Sequence, residues 1–121
     1  MAKIPSPPRG TGPSGRALWR DITGRYELEQ HEEALLREMT RCVDQLDALH
    51  AITERDGLVV EGPHGSKAHP ALTAAQQQRI CLARLAASLR LPAGEQDESS
   101  ALRRPQRRGA ARGVYSIRDS V

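Results

Sequence analysis

Two long segments of the chain repeat apolar residues with the three- and four-residue spacing of an α-helix. The first spans about Glu29 to Asp56, and its apolar positions are separated by four, three, four and three residues: Leu35, Met39, Cys42, Leu46 and Leu49. The second spans about Pro70 to Leu91 and has an apolar face rich in small residues. A shorter amphipathic segment begins at Pro13. The pattern therefore predicts an all-α fold with a short N-terminal helix, a long central helix and a C-terminal helix in an antiparallel, hairpin-like arrangement.

The connector between the two long helices has its own order of signals. Gly57 can end a helix in a left-handed conformation, and Leu58 to Val60 favour an extended backbone. The Gly62-Pro-His-Gly65 sequence is typical of a turn, and Pro70 suits the first turn of a new helix. We expect a small β-hairpin or an extended loop that sets the angle between the helices.

Composition limits the chain of 121 residues to a single domain. We expect a flexible basic arm over residues 1–12, a helical domain over 13–92 and a disordered, Arg-rich tail over 93–121. The sequence has no Phe, one Trp and two Tyr, so its core is thin for a monomer. The broad apolar stripe of the central helix leaves two interpretations open, contact only within the chain and contact with further copies. The second predicts an oligomer interface at positions in both long helices: Leu35, Met39, Leu46, Leu49, Leu82 and Leu89.

Positive charge is concentrated at the two ends of the chain. The first 25 residues contain five Lys or Arg against Asp21 alone, and a run of arginines follows the acidic residues Glu95, Asp97 and Glu98 in the tail. Two interpretations stay open, a polyanionic partner held through its phosphates and a terminus kept solvated by its charge. The first predicts a DNA-binding set at both ends: Lys3, Arg9, Arg16, Arg20, Arg25, Arg103, Arg104, Arg107, Arg108 and Arg112.

The side chains that carry chemistry are scattered. The four His have no metal-binding spacing, so we expect no metal, no cofactor and no enzyme. Cys42 and Cys81 lie inside apolar helical patterns and are interpreted as buried thiols in a reducing compartment rather than disulfide or metal ligands. No apolar run is long enough for a membrane span, and the N-terminus lacks the apolar core of a signal peptide, which together favour a cytoplasmic protein.

Four short motifs occur in a fixed order along the chain. They are Gly-Pro-Ser-Gly-Arg-Ala-Leu-Trp-Arg at 12–20, Tyr-Glu-Leu-Glu at 26–29, Asp-Gly-Leu at 56–58 and His-Pro-Ala-Leu at 69–72. In this order they resemble the small terminase subunits of tailed phages and prophages, in particular those of actinobacterial phages. The resemblance covers about residues 8–92.

The resemblance implies a non-catalytic component of a DNA-packaging motor. Members of that family assemble into rings, bind double-stranded viral DNA and deliver it to the large terminase subunit, which carries the ATPase and nuclease. The implied partners are therefore viral DNA, the large subunit and further copies of the chain, in the cytoplasm of a bacterial host. Two alternatives remain: an oligomeric helical adaptor that binds only protein, and a small DNA-binding regulator with no packaging role.

Overall fold

A computed structural model describes residues 3–92 and 105–108 of the chain. Within these residues the elements are, in chain order, α1 Pro13–Arg25, β1 Tyr26–Glu27, α2 Gln30–Asp56, β2 Val59–Gly62, β3 Gly65–Ala68, α3 Pro70–Leu89 and β4 Gln106–Arg107. The prediction of a mainly helical protein is confirmed. The prediction of an all-α fold is partly wrong, because the four strands form two small antiparallel sheets, β1 with β4 and β2 with β3.

Helix α2 begins and ends at strong local signals. A capping box closes its first turn: the Glu29 N–H donates to Glu32 Oε1 at 2.7 Å, and the Glu29 side chain accepts from the Glu32 N–H. At the other end Gly57 has a φ of 83°, which suits glycine, and its N–H donates to the Thr53 carbonyl at 2.8 Å. The helix boundaries expected from the sequence therefore have a direct physical cause.

The connector folds as a β-hairpin. Strands β2 and β3 pair from Val59 with Ala68 to Gly62 with Gly65, and the turn lies between the last pair. Gly65 has a φ of 109°, a conformation that side chains disfavour. Just outside the paired strands, the His69 N–H donates to the Leu58 carbonyl at 2.9 Å. Of the two expected forms of the connector, the structure has the hairpin.

The core lies where α1 and α3 pack against α2. The few aromatic residues are concentrated there: Trp19 and Tyr26 are almost fully buried, together with Leu36 and Leu89, which are 0% and 1% exposed. Burial of polar groups is compensated within the helices, since the buried Thr23 hydroxyl donates to the Trp19 carbonyl at 2.7 Å. The thin core expected from the composition is thus built mainly around the α1–α2 contact and the end of α3.

Part of the tail returns to the helical domain. Strand β4 pairs with β1, Arg107 opposite Tyr26 and Gln106 opposite Glu27, and Pro105 is buried beside it. The prediction that residues 93–121 lack regular structure throughout is therefore wrong at β4. It failed because a two-residue strand carries no periodic signal, and its partner lies about eighty positions away in the sequence.

Candidate nucleic-acid interface

The N-terminus of α1 is capped by a side chain of another helix. Gly12 occupies the N-cap position but has no side chain to accept the free helix N–H groups. Asp44 of α2 takes that role: its carboxylate accepts from the Gly12 N–H at 2.7 Å and from the Gly15 N–H at 2.8 Å. Next to it Asp47 accepts a hydrogen bond from the Ser14 hydroxyl. The Gly-Pro-Ser-Gly sequence is therefore a docking surface for two carboxylates of α2.

The residues before α1 have no helix or strand from Lys3 to Gly12, but they contact the helical domain. The Trp19 indole N–H donates to the Pro5 carbonyl at 3.0 Å, and the Thr11 hydroxyl donates to the Pro8 carbonyl at 2.6 Å. Arg16 reaches back to the Thr11 carbonyl at 2.6 Å. These contacts place this part of the arm beside the first turns of α1.

Helix α1 presents a basic face to the solvent. Arg16 and Arg20 are exposed and lie four residues apart, so that they project from the same side of the helix. Arg20 has no hydrogen bond or ion pair with any residue that the structure describes. The only acidic residue of α1 is Asp21, and it pairs with Arg25 at 2.9 Å. The face is suited to an anionic partner.

The C-terminal end of α1 is where the two basic ends of the sequence meet. The Arg108 backbone N–H donates to the Arg25 carbonyl at 2.6 Å, and its guanidinium donates to the Thr23 carbonyl. Both acceptors belong to the last turn of α1, where free carbonyls and the helix dipole favour a cation. Arg25 lies over the Tyr26 ring, 5.3 Å from its centroid, and Arg107 is exposed on the strand paired with that residue.

The predicted DNA-binding residues differ in exposure, and some of them lie outside the described residues. Those that are exposed on or near α1 are Lys3, Arg9, Arg16, Arg20, Arg25 and Arg107. Arg108 is half-buried and holds the tail against α1, an anchoring role that the sequence did not indicate. Arg103, Arg104 and Arg112 lie outside the described residues.

The residues predicted to form oligomer contacts comprise two buried side chains and four half-buried ones. Met39 and Leu89 are 5% and 1% exposed within the chain itself, so they retain almost no surface for a second copy. Their place in the apolar stripes could not distinguish an internal contact from an external one. The other positions keep part of their surface and are half-buried: Leu35, Leu46, Leu49 and Leu82.

The hairpin junction contains a hydrogen bond between an imidazole and a carboxylate that the sequence analysis missed. His69 is the N-cap of α3, and its Nδ1 accepts from the Ala71 N–H at 3.0 Å. Because that nitrogen is an acceptor, Nε2 carries the proton and faces Asp56 Oδ2 at 3.0 Å. Hydrogen bonds from Arg55 and then from His69 hold the pKa of the Asp56 carboxyl well below its usual range. The pairing ties the end of α2 to the start of α3, which indicates a structural role.

The two cysteines do not share one environment. Cys42 is buried, as predicted, whereas Cys81 is exposed, so the prediction of a second buried thiol is wrong. Its helical pattern suggested burial because α3 is rich in apolar and small residues on several faces.

The cavities and the metal-binding types of side chain were compared with the α1 surface over the described residues. Among the described residues no group of three or more His, Cys, Asp or Glu side chains is arranged to hold a metal ion. The space between the arm and α2 is an open pocket of about 220 Å³ that includes Arg9, Arg41 and Asp44. Within the same ranges no helix combines the length and the apolar character that a membrane span requires. The exposed arginines of α1 are therefore the strongest candidate for a binding surface.

In comparisons with known proteins, no protein-family model, curated protein or solved structure matches the chain.

Proposed function

We propose that this chain is a DNA-binding small terminase subunit of a phage or prophage packaging motor. In this role it has no catalytic activity of its own. It forms an oligomeric ring that binds double-stranded viral DNA in the cytoplasm of the bacterial host and delivers it to the large terminase subunit. The motif order from Gly12 to Leu72 supports the family, and the surface of α1 supports the binding of an anion.

One observation carries the DNA-binding part of the proposal. Helix α1 is held at its start by the Asp44 carboxylate and at its end by Arg108, and between these points it exposes Arg16 and Arg20. Arginines on a fixed helix can meet successive phosphates without losing much backbone freedom on binding. Binding through phosphates is strongly salt-dependent and nearly independent of base sequence.

The oligomeric part rests on the remaining apolar surface. In this proposal α2 and α3 form an antiparallel pair, and the half-buried Leu46 and Leu49 of α2 with Leu82 of α3 contact the next subunit. Subunits joined head to tail around a closed ring would use two different faces of each chain. A ring also repeats the basic face of α1, which would multiply weak phosphate contacts.

Two measurements test the proposal together. Native mass spectrometry of the full chain should give a closed oligomer of several copies, and a monomer at micromolar concentration would remove the ring. A gel shift with double-stranded DNA should show binding at low salt that weakens strongly at physiological salt. Absence of a shift at low salt would remove DNA as the partner.

A second candidate is a helical adaptor whose oligomer binds only protein. It is favoured by apolar side chains that remain in solvent: Ile80 on α3 is 46% exposed, and Leu58 and Val59 near the hairpin are 62% and 58% exposed. A contiguous exposed apolar patch marks a protein-binding surface, and Leu58 and Val59 are neighbours in the sequence. An oligomer that gives no shift with DNA at low salt, but whose mass is retained, would favour the adaptor.

A further inference from the structure

The pocket between the arm and α2 is bounded by a tight turn and by the side of a helix. In the turn the Thr11 N–H donates to the Pro8 carbonyl at 3.3 Å, and the Thr11 hydroxyl donates to the same oxygen at 2.6 Å. Gly10 is the third residue of this turn and has a φ of 80°, which suits glycine. The opposite wall belongs to α2, from Thr40 to Gln45. Both walls are therefore held by backbone hydrogen bonds.

Two arginines from different elements line this pocket. Arg9 comes from the turn, is exposed, and has no hydrogen bond or ion pair with any described residue. Arg41 comes from α2 and pairs with Glu38, but the two side chains are 59% and 51% exposed. An ion pair this exposed is weak, so Arg41 can exchange Glu38 for another anion. Arg16 of α1 lies next to the pocket, because its guanidinium donates to the Thr11 carbonyl at 2.6 Å.

The carboxylate of Asp44 also lines the pocket, and its charge is compensated within the fold. Its two oxygens accept from the Gly12 and Gly15 N–H groups at 2.7 and 2.8 Å, at the positive end of the α1 dipole. The pocket volume of about 220 Å³ is smaller than the roughly 300 Å³ at which sites for drug-sized ligands begin. Its size and its two guanidinium groups suit a single small anion such as a phosphate group.

We propose that this pocket binds a phosphate group between Arg9 and Arg41, and that this group belongs to the DNA backbone. The identity of the ligand rests on the DNA binding proposed above. In the bound state Arg41 leaves Glu38 and donates to the phosphate oxygens together with Arg9. The pocket then extends the basic face of α1 onto α2, with Arg16 between the two. The charge pattern of the sequence did not indicate Arg41, because acidic residues outnumber basic ones in α2.

Titration of the full chain with inorganic phosphate tests the pocket without DNA. Backbone amide NMR spectra should show concentration-dependent shifts at Arg9, Gly10 and Thr11. Sodium chloride at the same ionic strength should leave these signals in place. Arg41→Ala should abolish most of the phosphate-dependent shift. An absence of phosphate-dependent shifts at these amides in the wild-type chain would overturn the proposal.

DNA affinity measured over a range of salt concentrations tests the identity of the ligand. Arg41→Ala should lower the slope of log Kd against log salt by about 0.9 for each subunit that contacts the DNA, the share of one phosphate contact. Arg41→Lys keeps the positive charge and should keep most of the slope. Glu38→Gln releases Arg41 from its ion pair and should tighten binding a few-fold at low salt. Arg79→Ala, at an exposed arginine of α3, is the control and should change neither quantity.

The two experiments separate the failure of this inference from the failure of the proposed function. If the wild-type chain binds DNA and Arg41→Ala keeps the wild-type slope, the pocket does not hold a DNA phosphate, while the DNA binding itself stands. If the pocket amides respond to inorganic phosphate but the chain gives no shift with DNA at low salt, the proposed function fails and the pocket is a site for free phosphate. Circular dichroism confirms that the Arg41 variants keep their helices, as expected for an exposed side chain.

Discussion

Helices α1 and α3 both begin at a proline, but their first turns are capped in different ways. Before α3 the cap is local: the N-cap residue His69 accepts from the N–H two residues further on. Before α1 the N-cap residue is Gly12, and the acceptor is Asp44, which lies about thirty residues away. One helix start is specified by its own sequence and the other by tertiary contact.

The glycine in the first turn of α1 and the glycines of the hairpin region also differ in the space around them. A Cβ atom added at Gly15 would lie 2.5 Å from Asp44 Oδ2 and 2.6 Å from Thr11 Cγ2, so any other residue there forces both side chains to move. At the hairpin, Gly57 and Gly65 have open space around them and are required by positive φ instead. The comparison shows that a glycine can answer either to the close approach of another element or to a positive φ.

The largest effect is expected from Gly15→Ala. The new methyl group has to displace the Asp44 carboxylate from the end of α1, and the chain should lose about 2 to 3 kcal/mol of unfolding free energy. Gly24→Ala on the same helix is the matched control, because a Cβ there meets no atom within 4 Å. It should gain about 0.5 to 1 kcal/mol from helix propensity. Urea denaturation measures both, and equal effects would remove the crowded-docking explanation.

Asp44→Ala should have the next largest effect. It removes the acceptor of two helix N–H groups, with an expected loss of about 1 to 2 kcal/mol. Asp44→Asn keeps one acceptor oxygen and should recover part of that loss. Hydrogen exchange should show the Gly15 amide becoming less protected in the Ala variant. Unchanged protection would mean that Asp44 does not cap α1.

His69→Ala should have a smaller effect than Asp44→Ala. It removes one local N-cap hydrogen bond and the exposed contact with Asp56, and the expected loss is about 1 kcal/mol. His69→Asn, which is a good N-cap residue, should restore much of the stability. Thermal unfolding of the three chains is sufficient. A loss larger than that of Asp44→Ala would reverse the order proposed for the two helix starts.

The smallest effect should appear as a pH dependence at the hairpin. The pKa of Asp56 is lowered in the folded chain, so its contribution to stability is complete above the ordinary value of 3.8 and declines as the pH falls through the lowered one. Asp56→Asn should therefore flatten the acid limb of a plot of thermal midpoint against pH. If the limb keeps its slope, other carboxylates cause it.

The difference between local and tertiary caps also explains what the sequence could predict. The periodicity of α2, its Gly57 end and the turn of the hairpin depend on neighbouring residues, and the structure has them where they were expected. The Asp44 cap and the β1–β4 pairing depend on partners far along the chain, and no spacing rule indicates them.

The candidate nucleic-acid interface also has one part that the sequence could predict and one part that it could not. Composition alone identified the basic residues of α1, because positive charge on a polar surface is visible in the sequence. The role of Arg108 was not visible. An arginine that binds the carbonyls of a helix end and an arginine that binds phosphates look the same in the sequence. The helix that displays Arg16 and Arg20 is thus held by contacts that only the tertiary structure defines.

The most direct test of the central claim is the salt dependence of DNA affinity. The account predicts that a plot of log Kd against log salt for the wild-type chain is steep, and that replacing Arg16 and Arg20 together by Ala lowers its slope by about 1.8, the share of two phosphate contacts, for each subunit that contacts the DNA. Arg79→Ala, an exposed arginine of α3, should leave the slope unchanged. An equal slope for the wild-type chain and the double variant would contradict the account.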